Sequence, residues 1–145
     1  SMLAIDAQIT VEATLLNRPN SALGYRVACG DATVVYATDT DHTAAAVDQS
    51  LLHLAQSADI LIYDGTYADH AYHDPHASYA ASEKAWQAAI ALAQAADVKK
   101  LILFYHDPNA DDEQLDQLAV QVRSTFAAAT VAREGMTLQI PTVSD

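Results

Sequence analysis

Two short, unbroken apolar runs constrain this chain more than any other feature: Ile60-Leu61-Ile62-Tyr63 and Leu101-Ile102-Leu103-Phe104-Tyr105. Four or five apolar residues without alternation suit a strand covered on both faces. The stretch before the second run has helical period. Ala85, Trp86, Ala89, Ile90, Ala93 and Ala96 fall on one stripe, and Asp97-Val98-Lys99-Lys100 closes it. Strand, helix and strand in that order specify parallel neighbours joined by a crossover, and therefore an α/β sheet.

The flanking segments extend that pattern. Ala7 to Leu16 alternates, with Ile9, Val11, Ala13 and Leu15 at period two, and Asn17-Arg18-Pro19-Asn20-Ser21 has turn chemistry. Leu23 to Cys29 and Thr33 to Ala37 read as two strands joined at Gly30-Asp31. After Thr40 the period turns helical, with Val47, Leu51, Leu54, Ala55 and Ala58 on one stripe and Asp41 or Thr43 placed to cap it. A polar loop runs from Gly65 to about His76. Asp111 with Gln114 forms a capping-box signature ahead of a helix carrying Leu115, Leu118, Ala119, Val122 and Phe126. Val131 to Arg133 and Met136 to Ile140, turning at Gly135, read as closing strands. The expected order is β-β-β-α-β-α-β-α-β-β, in one domain over residues 2–145. Ser1 before Met2 reads as a scar of tag cleavage.

Composition closes off other classes. With 145 residues, 51% of them hydrophobic, a core is within reach and disorder is disfavoured. No apolar run approaches 18 residues and no charged-then-apolar leader opens the chain, so the expectation is a cytoplasmic protein with no membrane partner. The lone Cys29 rules out an internal disulfide and a CxxC zinc site, and its place in a strand suggests a small core residue. A net charge of -12 repels phosphate backbones and disfavours nucleic acid as a partner.

Ligands of α/β sheets bind just beyond the carboxyl ends of the strands. Three such ends carry ionisable side chains here: Asp39 after Val34 to Thr38, Asp64 after Leu61-Ile62-Tyr63, and His106 after Leu103-Phe104-Tyr105. Two carboxylates and an imidazole on one rim would suit a divalent metal. The plainer alternative is that each simply begins a loop, where Asp serves as a turn or capping residue.

Several spaced motifs carry a resemblance. They are Leu23-Gly24-Tyr25-Arg26-Val27, Val34-Val35-Tyr36-Ala37-Thr38-Asp39-Thr40-Asp41-His42, Ala58-Asp59-Ile60-Leu61-Ile62-Tyr63-Asp64-Gly65-Thr66-Tyr67, Trp86-Gln87-Ala88-Ala89, and Ala95 through Pro108. Together they resemble the C-terminal half of metallo-β-lactamase-fold hydrolases, in the branch of ribonuclease Z and related phosphodiesterases. The resemblance covers about Val11 to Leu118. It implies half of an αβ/βα sandwich, a mixed sheet with helices on one face and an apolar face on the other. It implies that Asp39 bridges two metal ions, that His106 ligates one, and that Asp64 orients a ligand from just outside. The implied metals are zinc, manganese or iron.

The departures limit what carries over. The family's HxHxDH cluster belongs to an N-terminal half without counterpart here. A further ligand histidine, in an Asn-His-Pro-like turn, matches Arg18, a cation that would repel a metal. The histidine used on the scissile phosphate matches Glu83. Only Asp39 and His106 remain of the ligand set, fewer than the three protein ligands of a catalytic zinc. The loop histidines His70, His73 and His76 are candidate extra ligands, or members of a solvated loop; His76 is also placed to replace the lost phosphate-handling histidine. His42 is an outer-shell group or a polar cap, while His53 and Trp86 read as structural.

Three functions follow. The first is a domain with a degenerate or incomplete metal site, expected to be non-catalytic alone and completed by a second copy or by a separate N-terminal-half partner. The second is a metal-dependent hydrolase of phosphodiesters or related esters, with further ligands from another chain or a missing half. The third is a metal- or small-molecule-sensing module built on the histidine loop. The charge disfavours transfer RNA, a substrate of the branch resembled.

Overall fold

A computed structural model describes residues 1–16, 22–38, 40, 48–64, 78–104, 106–108 and 110–141, with 78–84 described in backbone only. The alternating N-terminal segment forms β2 of a run that begins with β1 (Met2–Ala4), β2 (Ile9–Leu15), β3 (Leu23–Cys29) and β4 (Ala32–Ala37). Then follow α1 (Gln49–Ala55), β5 (Ile60–Tyr63), α2 (Ser78–Ala95), β6 (Leu101–Leu103), α3 (Asp112–Thr125) and β7 (Ala129–Val131). One seven-stranded sheet results, in the order β1-β2-β3-β4-β5-β6-β7. β1 to β4 pair antiparallel, and β4 to β7 pair parallel.

The α/β class with a mixed sheet is as expected, but both ends differ. The strand β1 was not anticipated: Met2-Leu3-Ala4 has no alternation to read, and what sets it is the turn at Asp6. The Asp6 carboxylate accepts from Gln8 N (2.7 Å) and Ile9 N (2.8 Å) and folds the chain back onto β2. At the other end β7 starts at Ala129, and Met136 to Ile140 forms no strand among the described residues. Asp48 caps α1, accepting from Ser50 N and Leu51 N; the expected caps Asp41 and Thr43 lie outside the described residues. Asp111 and Gln114 form the expected capping box of α3.

All three crossovers, β4-α1-β5, β5-α2-β6 and β6-α3-β7, step the same way across the sheet. Right-handed crossovers stepping in one direction place every helix on the same face. The core lies there: Val35, Ala37, Leu61, Tyr63, Leu101, Leu103, Ala129 and Val131 from the strands pack with Leu51, Leu54, Trp86, Ile90, Ala93 and Val122 from the helices. Two motif residues serve that packing. Gly24 lets α1 approach β3, since a Cβ there would stand 2.7 Å from Leu54 Cδ2 and 3.0 Å from Leu16 Cδ2. Arg26 donates to the carbonyls of Leu54 (2.8 Å) and Gln56 (2.9 Å), satisfying acceptors that the end of α1 leaves open.

The opposite face carries no helix among the described residues. Register places Leu3, Val11, Val27, Val34 and Ile60 in one row, and Ala13, Tyr25, Tyr36, Ile62, Ile102 and Thr130 in the next. Ile9, Cys29 and Ala32, with Leu15 and Leu23, complete it. Leu3, Leu15, Leu23, Tyr25, Val27 and Tyr36 are exposed there, Leu3 and Leu15 keeping 65% and 59% of their surface, whereas Ile60 and Ile102 at the β5–β6 end are buried. The alternation of β2 therefore points its apolar residues away from the helices, and Thr10, Glu12 and Thr14 towards the helix side. Cys29, expected in the core, is exposed, because it ends β3 on this open face.

At the amino ends of the parallel strands, Asp59 accepts from Thr33 N (2.7 Å) and from Lys99 Nζ (2.7 Å). The Lys99 ammonium holds the Asp59 carboxyl below its ordinary 3.8, and Asp59 raises Lys99 above 10.5. The Asp59 contribution is thus fully present above about pH 3.8 and is lost as pH falls through its lowered native value. Urea titrations from pH 5 to pH 2 are expected to show a fall in midpoint that Asp59→Asn diminishes. Gly24→Ala is expected to cost about 1–3 kcal/mol, because Leu54 and Leu16 must shift within a packed core; equilibrium urea unfolding measures it.

Candidate functional site

Ala37 pairs with Tyr63, and Tyr63 with Leu103, so the carboxyl ends of β4, β5 and β6 stand side by side. That rim gathers Thr40, Asp64 and His106. Asp64, only 6% exposed, accepts from Thr40 N (3.1 Å) and from Thr40 Oγ1 (2.6 Å). A buried carboxylate is tolerable when charge-assisted hydrogen bonds of this kind receive it. The paired bonds pin the residue that directly follows Asp39 to the end of β5. Asp64 therefore positions the start of the loop after β4.

His106 follows β6 and is half-buried. Its Nε2 lies 2.7 Å from the carbonyl of Ala132, whose own N–H donates to Leu103 O (2.8 Å). A carbonyl only accepts, so Nε2 carries the hydrogen. Histidine metal ligands characteristically anchor their non-ligating nitrogen on a carbonyl or carboxylate in this way. The His106 geometry fits a ligand's role.

The other expected site residues, Asp39, His42, His70, His73 and His76, lie outside the described residues, as does Arg18; the Glu83 side chain does too. Among the described residues no three His, Cys, Asp or Glu side chains gather closely enough to hold a metal ion. The described rim supplies one well-oriented imidazole and one positioning carboxylate. Among the described residues that donor set is too small to hold a metal. His53 sits exposed in the last turn of α1, remote from the rim, and Trp86 is buried in the core as expected. A cleft of about 560 Å³ lies elsewhere, against α3, lined by Asp116, Ala119, Val120, Arg123, Ser124 and Arg133. Sequence reasoning did not assign Thr40 as the partner of Asp64 or Ala132 as the partner of His106. The Thr38-Asp39-Thr40 hydroxyls were the available signal for the first; a backbone carbonyl carries none.

Residues 2–106 match the family of beta-lactamase superfamily domains. The chain belongs to that superfamily. Ribonuclease Z of Rippkaea orientalis is 32% identical over 111 residues, 74% of this chain and 33% of that protein. Ribonuclease Z of a Cyanothece species is 34% identical over 115 residues, again 74% of this chain and 32% of the relative. The chain thus spans about a third of the length of these relatives. In fold it is similar to human tRNase Z, short form, with TM-score 0.61 and 19% identity over 97% of this chain and 47% of that one. The metallo-beta-lactamase fold protein YhfI of Bacillus subtilis gives TM-score 0.61 and 19% identity, over 94% of this chain and 51% of YhfI. The chain corresponds to about half of each of these neighbours.

Asp64→Ala is expected to lower stability by about 1–3 kcal/mol, because it removes the acceptor that Thr40 uses through both N–H and hydroxyl. Urea unfolding of Asp64→Ala beside Asp64→Asn, which retains one acceptor oxygen, measures the effect and should rank Asn between wild type and Ala.

Proposed function

We propose that the chain is a beta-lactamase superfamily domain with an incomplete metal site, non-catalytic on its own, whose open sheet face is an association surface. The observation that carries this reading is the direction of β2. Its apolar alternation, Ile9, Val11, Ala13 and Leu15, lies on the face without helices, and a large exposed apolar patch marks an interaction site. Seven strands at about 4.8 Å spacing make that face roughly 30 Å wide, with an area of the order of 500 Å². Two sequence features support the loss of catalysis: Arg18 matches a ligand histidine, and Glu83 matches the histidine used on the scissile phosphate.

A second reading, a metal-dependent hydrolase of phosphodiesters or related esters, is favoured by the carbonyl-anchored ring of His106 and by the two ribonuclease Z relatives. In it, Asp39 and His106 would hold the metal together with ligands from another chain or half. A bound divalent metal would supply Lewis-acid polarisation of the substrate. His106 would keep its orientation through Ala132, and Asp64 would fix the segment next to Asp39 through Thr40.

Elemental analysis of the purified chain, with hydrolysis of bis-p-nitrophenyl phosphate, separates the two. The first reading expects zinc, manganese and iron well below one per chain and no turnover. Stoichiometric metal with turnover abolished by Asp39→Ala would establish the second reading in its place.

A further inference from the structure

We propose that Met136 to Ile140 is a donor strand, which pairs with β1 of a second copy of this chain when two open faces meet. The proposal rests on the reading of that face as an association surface and names what covers it.

Three observations converge. The segment Met136-Thr137-Leu138-Gln139-Ile140 alternates apolar and polar at the strand period, and Pro141 ends any ladder beyond it. No backbone hydrogen bond holds residues 137–140 among the described residues, although the chain turns back just before them, at Gly135 (φ +75°), with Met136 N donating to Arg133 O (3.1 Å). A strand-patterned segment without a ladder in its own chain is matched by an edge without a partner. On either side of β1, Ser1 and Ile5 direct their main-chain groups to Ala13 and Ile9. By alternation Leu3 points the same way, and the N–H and C=O of Met2 and Ala4 point outward from the sheet. Such an edge is a template for another strand.

A second copy offers everything the arrangement needs. The open face holds no Asp, Glu, Lys, Arg or His in any of its strands, so two chains of charge -12 meet there without opposed carboxylates. A two-fold axis lying between the sheets and parallel to the strands reverses strand order across the contact and puts β1 of one copy over β7 of the other. Packed sheets lie about 10 Å apart, and the chain from Ala132 to Met136 can span about 13 Å once the Arg133–Met136 turn opens, so donation requires that turn to unfold. The donated strand adds area and ladder bonds.

Sedimentation equilibrium and hydrogen exchange on the full chain test this, with Leu138→Pro and Tyr36→Arg. Residues 137–140 make no backbone hydrogen bond among the described residues, so Leu138→Pro breaks none in the single chain; Leu138 is half-buried, and urea unfolding of the monomer checks that the fold is retained. The expected results are a dimer, abolished by Tyr36→Arg and weakened about thirtyfold by Leu138→Pro, which removes one ladder bond from each of the two donated strands. Protection of the amides of Met2, Ala4 and 137–140 should also rise with protein concentration. A dimer that Tyr36→Arg abolishes but Leu138→Pro leaves unchanged, with 137–140 unprotected, overturns the donor strand and leaves the face as an interface. A chain that stays monomeric overturns the second copy as occupant. A dimer insensitive to Tyr36→Arg overturns the open face as its association surface.

Discussion

The handedness of three crossovers governs this molecule. β4, β5, β6 and β7 follow one another across the sheet without a reversal, so right-handed connections stack α1, α2 and α3 on one side. Doubly wound sheets reverse direction and cover both faces; this one does not. A face without helices among the described residues follows from the topology; its apolar side chains are exposed across β1 to β4, while Ile60 and Ile102 are buried. Leu15, Leu23, Tyr25, Val27 and Tyr36 are exposed in the single chain, while Leu54, Leu61, Leu101 and Leu103 are sealed beneath the helices on the other side. The chain thus has one finished layer contact and one unfinished.

The same topology positions the candidate site. Parallel strands in register bring their carboxyl ends to one rim, where Thr40 is tied to Asp64 and His106 to Ala132. Both ties link loops that follow different strands, so the rim is held by hydrogen bonds across the ends of the sheet. Gly24 and Arg26 act elsewhere: they carry part of the family resemblance, yet their work is to admit α1 against β3 and to receive its terminal carbonyls. A motif shared with hydrolases here reports on packing as much as on chemistry.

How much of this could be read beforehand depended on where the physics is local. The helix α3 declared itself through Asp111 and Gln114, and β5 and β6 through unbroken apolar runs, because capping and burial leave marks in adjacent residues. The class and the open face were legible from the strand-helix order together with the resemblance. β1 was not, since three residues carry no period and its pairing is set by the turn at Asp6. Met136 to Ile140 has the period of a strand but lacks a ladder, because pattern specifies which face is apolar and says nothing of whether an edge is available. Cys29 was misplaced for the same reason: a residue in a strand is buried only if its face is covered. At the rim, Asp64 and His106 were visible as strand-end ionisable residues, whereas their partners Thr40 and Ala132 come from tertiary register.

The central claim is that the helix-free face is buried when the protein is assembled, and Cys29, the lone cysteine, reports on it directly. In the single chain it is exposed at the end of β3 on that face. The rate of its reaction with a thiol reagent, followed across protein concentration and in Tyr36→Arg, is the decisive measurement. Burial of the face requires that wild-type Cys29 become progressively protected as concentration rises, while Tyr36→Arg stays fully reactive. A wild-type thiol that reacts at the rate of an exposed cysteine at every concentration would contradict self-association through this face.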